Sequence, residues 1–133
     1  MQMILCLDDN NGMSFGGKRQ SRDRVVVEKI LELTAGGKIW MNGYSAGIFS
    51  GYENAIMVRE TFLEDLHRGE FCFVENTDIA CYFSEVSKLY IFRWNRRYPA
   101  DVKIQLPANF TKTHTEDFPG NSHDKITLEV YTG

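Results

Sequence analysis

Blocks of consecutive apolar residues, separated by short polar segments, predict a sheet with strands that are covered on both faces. A strand buried on both faces needs no polar side, so its sequence is a continuous apolar run rather than an alternation. Runs of this kind predict strands at Met3–Leu7, Lys38–Met41, Ala55–Val58, Phe71–Val74 and Leu89–Trp94. Two further extended segments follow, at Val102–Leu106 and Phe110–Thr115.

The last part of the chain has a different pattern, in which apolar and polar residues alternate strictly. Ile126, Leu128 and Val130 alternate with polar residues within Lys125–Tyr131, which is typical of a half-buried strand. The turn-forming pair Asn121-Ser122 separates this strand from the segment Thr115–Gly120. The pattern therefore predicts a long antiparallel hairpin at the end of an α/β domain.

One clear helical stripe follows the first strand. Ser21 is the predicted N-cap, Asp23 lies in the first turn, and Gly36-Gly37 ends the helix. The apolar residues of the stripe are Val26, Val27, Ile30, Leu31 and Leu33. Shorter helices are predicted at Thr61–His67 and Ile79–Val86 from the same spacing.

The segment Met13–Arg19, between the first strand and the first helix, shows no periodicity. It contains Gly16 and Gly17, and loops of this composition connect regular elements on protein surfaces. We therefore predict a mobile loop at this place.

Two strand ends are polar and define a predicted crevice. Phe71–Val74 is followed by Glu75–Asp78, then by a helix and the strand Leu89–Trp94, which is a βαβ order. This order implies a parallel strand pair with a right-handed crossover. The segment Asn42–Gly47 leaves the second strand in a similar way. Ligands of open α/β sheets bind beyond the carboxyl ends of the strands, so both segments are expected at a ligand site.

Composition limits the possible functions. The 133 residues carry a net charge of −3, which fits one domain and argues against binding to nucleic acid or to an anionic membrane. No apolar run reaches the length of a membrane span, and Met1–Leu7 does not have the pattern of a secretory leader. We expect a cytoplasmic protein in which the thiols of Cys6, Cys72 and Cys81 are reduced and buried.

Several local phrases, in this order along the chain, resemble dihydrofolate reductase. At the N-terminus these are Met3–Leu7, Gly12-Met13, Asp23 and Gly37–Met41, and in the last third they are Lys88–Ile91, Ala100-Asp101, Pro107 and Asn121-Ser122-His123. The resemblance implies a single dihydrofolate-reductase-like domain over residues 1–133. Its fold would be an α/β fold with a mostly parallel sheet flanked by helices and a C-terminal antiparallel hairpin.

The same resemblance assigns Asp23 as the pterin-binding carboxylate and the catalytic candidate, which would assist proton delivery when protonated in an apolar pocket. The alternative is a solvated first-turn aspartate that interacts favourably with the helix dipole. The flanking Arg22 and Arg24 favour the ionised form of this carboxylate.

The cofactor side of the resemblance is incomplete. The family has paired glycines after the strand that corresponds to Phe71–Val74, where the cofactor diphosphate approaches the backbone, whereas this chain has Glu75 and Asn76. A phosphate-facing arginine of the family is also missing near Tyr44 and Ser45. We therefore expect no cofactor, with NADPH as the alternative.

Other phrases resemble a group of short bacterial proteins that are often labelled ribonuclease Z. They are Gln20–Arg24, Trp40–Gly47, Phe73–Asn76, Arg93–Asp101 and Glu116–Tyr131. The residues do not support that label, because His67, His114 and His123 are not paired at the spacing of metal ligands. No metal site is expected.

Three hypotheses for function remain open. The first is a small-molecule-binding domain whose ligand residues are Asn42, Tyr44, Ser45, Glu75, Asn76 and Thr77. The second is an NAD(P)H-dependent reductase of dihydrofolate or a related pterin with a rearranged cofactor site. The third is a non-enzymic interaction module or homo-oligomer that uses the basic segment Arg93–Tyr98. Within that segment Arg93, Arg96 and Arg97 are the candidate anion-binding residues. Helix capping by Thr77 or Asp78, and a solvated basic strand end, are the alternatives without a ligand.

Overall fold

The described part of the protein contains two β-sheets. The computed structural model describes residues 1–65 and 69–133. Its strands are β1 Gln2–Leu7, β2 Gly12–Phe15, β3 Lys18–Arg19, β4 Ile39–Met41, β5 Ile56–Val58, β6 Phe71–Val74, β7 Lys88–Arg93, β8 Val102–Lys103, β9 Thr111–Phe118 and β10 Ile126–Thr132. Within the described ranges, seven strands form the main sheet in the order β5-β4-β6-β1-β7-β10-β9, and β3-β2-β8 form a small second sheet.

The main sheet is mostly parallel and ends in an antiparallel hairpin, which confirms the predicted fold class. β1 pairs in parallel with β6 on one side and with β7 on the other. β4 pairs in parallel with β5 and β6, whereas β10 is antiparallel to both β7 and β9. The two strands of the predicted βαβ unit are therefore parallel but not adjacent. The long apolar strand β1 lies between them because it can be buried from both sides.

Residues of β1 point alternately into two separate cores, one on each face of the sheet. Ile4 packs with the helix α1, Arg24–Leu33, whose Val26 and Ile30 are buried. Met3 and Leu5 belong to the other core, against which Tyr82 and Phe83 pack. The first helix and the segment after β6 thus cover opposite faces of the sheet.

The segment predicted as a mobile loop is instead a β-hairpin, so that prediction is wrong. β2 and β3 are antiparallel, with Ser14 opposite Arg19 and Phe15 opposite Lys18. Gly16 and Gly17 form the two-residue turn, with φ values of 61° and 75°. A two-residue hairpin turn with positive φ at both positions suits glycine, which is why the Gly-Gly pair occurs there.

The helices also differ from their predicted bounds. The N-cap of α1 is Asp23, which has extended backbone, and not Ser21. The segment predicted as an α-helix at Ile79–Val86 is a 3-10 helix, Ala80–Glu85, in which Val86 N–H bonds to the carbonyl of Phe83, three residues earlier. Apolar spacing alone does not distinguish these two helix types in so short a segment.

Strand β4 leads into a short helix, α2, Gly43–Ala46, followed by the 3-10 helices Gly47–Phe49 and Glu53–Ala55. Of the helix predicted at Thr61–His67, residues 61–65 form turns, and residues 66–68 lie outside the described residues. The extended segment predicted from Val102 is a strand only as far as Lys103. None of the helices described is long and apolar enough to cross a lipid bilayer.

The cysteines are only partly as predicted. All three are free thiols, and Cys72 is buried, which raises its pKa to about 12. Cys81, however, is exposed on the 3-10 helix Ala80–Glu85. The prediction of buried thiols is therefore confirmed at Cys72 and wrong at Cys81, whereas Cys6 is only partly buried.

Candidate functional site

A buried carboxylate joins the N-terminus of α1 to the turn of the C-terminal hairpin. Asp23 Oδ1 accepts hydrogen bonds from the main-chain N–H groups of Val25, at 2.9 Å, and Asn121, at 2.8 Å. Its Oδ2 accepts from the N–H of Ser122, at 2.8 Å, and contacts His123 Nδ1 at 2.9 Å. The side chain of Asp23 has no exposed surface. The carboxylate is therefore held by hydrogen-bond donors from two distant parts of the chain.

These contacts decide the charge of Asp23. Burial alone would raise its pKa, but hydrogen bonds from Asn121, His123 and Ser122 outweigh that effect and hold the pKa well below its usual range. The group is thus an ionised carboxylate with satisfied oxygens, which is the state that the flanking arginines favour and not the protonated acid that the resemblance implies. A catalytic role for Asp23 stays a prediction.

His123 lies between this carboxylate and a serine hydroxyl. Its Nε2 is 3.0 Å from Ser21 Oγ and 3.4 Å from the hydroxyl of Tyr98. The ring stacks on the indole of Trp94 with centroids 4.7 Å apart, and only 4% of the side chain is exposed. An ionised carboxylate can only accept, so Nδ1 carries the proton that faces Asp23. In the neutral imidazole, Nε2 is then the acceptor for the Ser21 hydroxyl.

The close packing around Asp23 gives a first prediction. A Cβ atom added at Gly120 would lie 2.6 Å from Asp23 Oδ2 and 2.8 Å from Ile126 Cδ1. We therefore expect Gly120→Ala to lower the free energy of unfolding by about 1–3 kcal/mol in urea denaturation. In the control Gly47→Ala, the added Cβ meets no atom within 4 Å. A loss from Gly120→Ala no larger than that of the control would contradict the described packing.

A cleft of about 610 Å³ opens beside the first turn of α1. Its two sides are the N-terminal half of α1 with the hairpin turn, and the segment that follows α2. The lining residues are Arg22, Asp23, Arg24, Val27, Glu28, Gly47, Ile48, Ser50, Tyr52, Asn121 and Ser122. Because the carboxylate of Asp23 is completely covered, only other atoms of this residue reach the cleft.

A second polar cluster occupies the carboxyl end of β6. Arg19 of β3 donates to both carboxylate oxygens of Glu75, with Nε–Oε2 at 2.7 Å and a second nitrogen–Oε1 distance of 2.9 Å. The guanidinium of Arg19 also lies 4.2 Å from the ring centroid of Tyr44, whose hydroxyl accepts from the Arg19 N–H. The exposed fractions of the Arg19 and Glu75 side chains are 18% and 5%. The β2–β3 hairpin is thus held on the strand end by a bidentate ion pair.

Further members of the predicted ligand set belong to the same cluster. Asn42 N-caps α2 and donates to Asn76, which in turn donates to the carbonyl of Gly17 at 2.9 Å. Ser45 is buried, and its Oγ has no hydrogen-bond partner among the described residues. Thr77 is partly exposed just beyond Asn76.

The structure therefore brings most of the predicted ligand residues together but separates them from Asp23. Asn42, Tyr44, Glu75 and Asn76 bond to one another or to the β2–β3 hairpin, and none of them lines the cleft beside α1. Their role as ligand-binding residues stays a prediction.

The three arginines predicted to bind anions differ in exposure and partners, and their anion-binding role stays a prediction. Arg93 forms an ion pair with Glu129 at 2.8 Å and hydrogen bonds with the Asp8 carbonyl and the side chain of Asn11. Arg96 and Arg97 are exposed beyond the end of β7. Arg93 therefore supports the sheet and the first turn, and within Arg93–Tyr98 the exposed arginines are Arg96 and Arg97.

Two residues of these clusters were not identified as site residues from the sequence. Arg19 pairs with a residue 56 positions later, and His123 with one 100 positions earlier, so no local spacing indicates either contact. The sequence Asn121-Ser122-His123 at the start of the last strand was the one available signal for His123. Within residues 1–65 and 69–133, no group of three or more His, Cys, Asp or Glu side chains is placed to hold a metal ion.

Comparison with known proteins supports the fold. No protein-family model and no curated protein sequence matches the chain. Among solved structures, it is similar to a dihydrofolate reductase from Enterococcus faecalis complexed with NADP(H) and RAB-propyl, with a TM-score of 0.67. The match covers 98% of this chain and 94% of that one at 12% sequence identity. The chain thus has a dihydrofolate-reductase-like fold, and at this identity the similarity shows the fold alone.

Proposed function

We propose that this protein is a small-molecule-binding domain on a dihydrofolate-reductase-like scaffold, without ordinary NADPH-dependent folate reduction. The observation that supports a ligand is the cleft of about 610 Å³ beside α1. Ligand pockets have volumes of roughly 300–1,000 Å³ and combine apolar walls with a few polar groups. Here Val27, Ile48 and Tyr52 supply apolar surface, and Arg22 and Ser50 supply polar groups.

The residues that line the cleft favour a ligand that has both an apolar ring and an anionic group. Arg24 is engaged by Asn121, at 3.2 Å, and by Glu28, at 3.6 Å. The side chain of Arg22 makes no hydrogen bond or ion pair within the part of the chain that the structure describes, and it is exposed. A carboxylate at Arg22 and an apolar ring against Tyr52 would use both kinds of surface.

The carboxyl end of β6 is occupied by side chains that disfavour a nicotinamide cofactor. In the resembling enzymes the cofactor diphosphate approaches glycines at this place, whereas here Glu75 and Arg19 fill it with a bidentate ion pair. Asn76 also connects the strand end to the β2–β3 hairpin through Gly17. A diphosphate would have to separate these groups and would meet the negative charge of Glu75.

Isothermal titration with dihydrofolate tests the proposal, because this probe carries an apolar ring system and carboxylates. We expect binding by the wild-type protein and at least about tenfold weaker binding by Ser50→Trp, since the indole would occupy the cleft. Ser84→Trp is the matched control, because Ser84 is exposed on the 3-10 helix covering the opposite face of the sheet. Equal affinity in both variants, or no binding by the wild type, would contradict a ligand of this class in the cleft.

Titration and absorbance measurements with NADPH distinguish this proposal from the reductase hypothesis. We expect no heat of binding with NADPH and no loss of its absorbance when dihydrofolate is also present. Oxidation of NADPH that depends on dihydrofolate would support the second hypothesis instead, with a rearranged cofactor site.

A further inference from the structure

We propose that Ser21, His123 and Asp23 form a nucleophilic triad that hydrolyses small carboxylic esters. Three elements of the geometry carry this inference: a buried carboxylate, an imidazole oriented by it, and a hydroxyl on the opposite ring nitrogen. Asp23 Oδ2 is 2.9 Å from His123 Nδ1, and His123 Nε2 is 3.0 Å from Ser21 Oγ. Nucleophile-to-base and base-to-orienter distances of this size define serine triads on unrelated folds.

The surroundings fix the role of each group. Asp23 is completely covered and held by main-chain N–H groups, so its orientation is set before any substrate arrives. The stacked Trp94 restricts rotation of the His123 ring, and the ionised carboxylate requires the proton to be on Nδ1. In the neutral imidazole Nε2 is then the acceptor, and it faces the hydroxyl that it would activate.

Ser21 is the accessible member of the group. It is partly exposed, whereas Asp23 and His123 are buried. The N–H groups of Ser21 and Arg22 make no hydrogen bond to any described residue, which leaves them free to stabilise a developing oxyanion. Ser21 does not line the cleft beside α1, so this inference does not depend on what the cleft binds.

The reaction follows from these positions. Ser21 Oγ bonds to the ester carbonyl carbon while its proton passes to His123 Nε2, and the carbonyl electron pair moves to oxygen. Collapse of this intermediate breaks the bond to the alkoxide, which leaves with the proton from Nε2. Water then attacks the acyl-serine in the same way, releases the carboxylic acid and restores the Ser21 hydroxyl.

The experiment uses p-nitrophenyl acetate as the substrate and diisopropyl fluorophosphate as the covalent probe. We expect release of p-nitrophenolate, and a single phosphorylated serine that peptide mass spectrometry places at Ser21. Ser21→Ala should lower the rate at least about 100-fold and abolish the label, because it removes the nucleophile. Ser84→Ala is the matched control, since this exposed serine lies on the opposite face of the sheet.

His123→Gln tests the base separately from the nucleophile. We expect it to abolish labelling of Ser21 while circular dichroism shows a folded protein. If it unfolds, the pH profile of wild-type labelling replaces it, and the rate should then rise as an imidazole loses its proton. Absence of labelling, equal labelling of Ser84, or labelling of Ser21 that is independent of both His123 and pH would each overturn the proposal.

Discussion

Asp23→Ala is expected to lower the free energy of unfolding by about 3–5 kcal/mol at neutral pH, as measured by urea denaturation. The substitution leaves three partly buried N–H groups, those of Val25, Asn121 and Ser122, without their acceptor. It also removes the charge that faces His123 Nδ1 at 2.9 Å. The N-terminus of α1 and the hairpin turn would lose their shared anchor.

Asp124→Ala is the matched control, because Asp124 lies in the same turn but is exposed. Its effect should stay within about 0.5 kcal/mol. The difference between wild type and Asp23→Ala should also depend on pH in a defined direction. The pKa of Asp23 is lowered in the folded state, so its stabilisation is complete above the unfolded value of about 3.9 and decreases as the pH falls below it. A difference that remains constant down to pH 2 would contradict an ionised Asp23.

Glu75→Ala is expected to be the second most damaging of these changes, with a loss of about 3 kcal/mol. It leaves the Arg19 guanidinium partly buried between Tyr44 and the end of β6 without its bidentate partner. The β2–β3 hairpin should then detach, which amide hydrogen exchange of Gly12–Phe15 would detect as lost protection.

A double-mutant cycle with Arg19→Ala is the control for this interaction. The double variant should lose less stability than the sum of the single variants, by about 1–3 kcal/mol, because each single variant already breaks the pair. Additive losses would mean that Arg19 and Glu75 act through separate contacts, and hairpin protection unchanged in Glu75→Ala would contradict the anchoring role.

The sequence predicted the fold better than the site, and the reason is the range of the interactions. Apolar runs predict β1 and β6, and alternation of apolar and polar residues predicts β10. Each of these patterns lies within the sequence of the strand itself. The hairpin at Gly16-Gly17 also has a local signal, the glycine pair itself, but the lack of periodicity around this pair predicts a mobile loop and not a turn.

The site depends on contacts that no local pattern contains. Asp23 was identified by position, yet its ionised state depends on Asn121 and Ser122, almost 100 residues later. Glu75 was identified as unusual at a strand end, but its partner Arg19 lies in a segment without periodicity. Separation of the two clusters follows from the tertiary structure, since α1 and the end of β6 are positioned by different neighbours.

The position of β1 at the centre of the main sheet has a consequence for how the molecule acquires its structure. The ribosome synthesises β1 before the strands on either side of it, β6 and β7, which begin only at Phe71 and Lys88. The apolar residues of β1 therefore have no sheet partner until those strands follow, and their pairing closes long loops at an entropic cost. We expect the β9–β10 hairpin to form early from local contacts. The sheet centre would form late and slowly, as in other proteins of high contact order, and the nascent chain would expose an aggregation-prone strand until then.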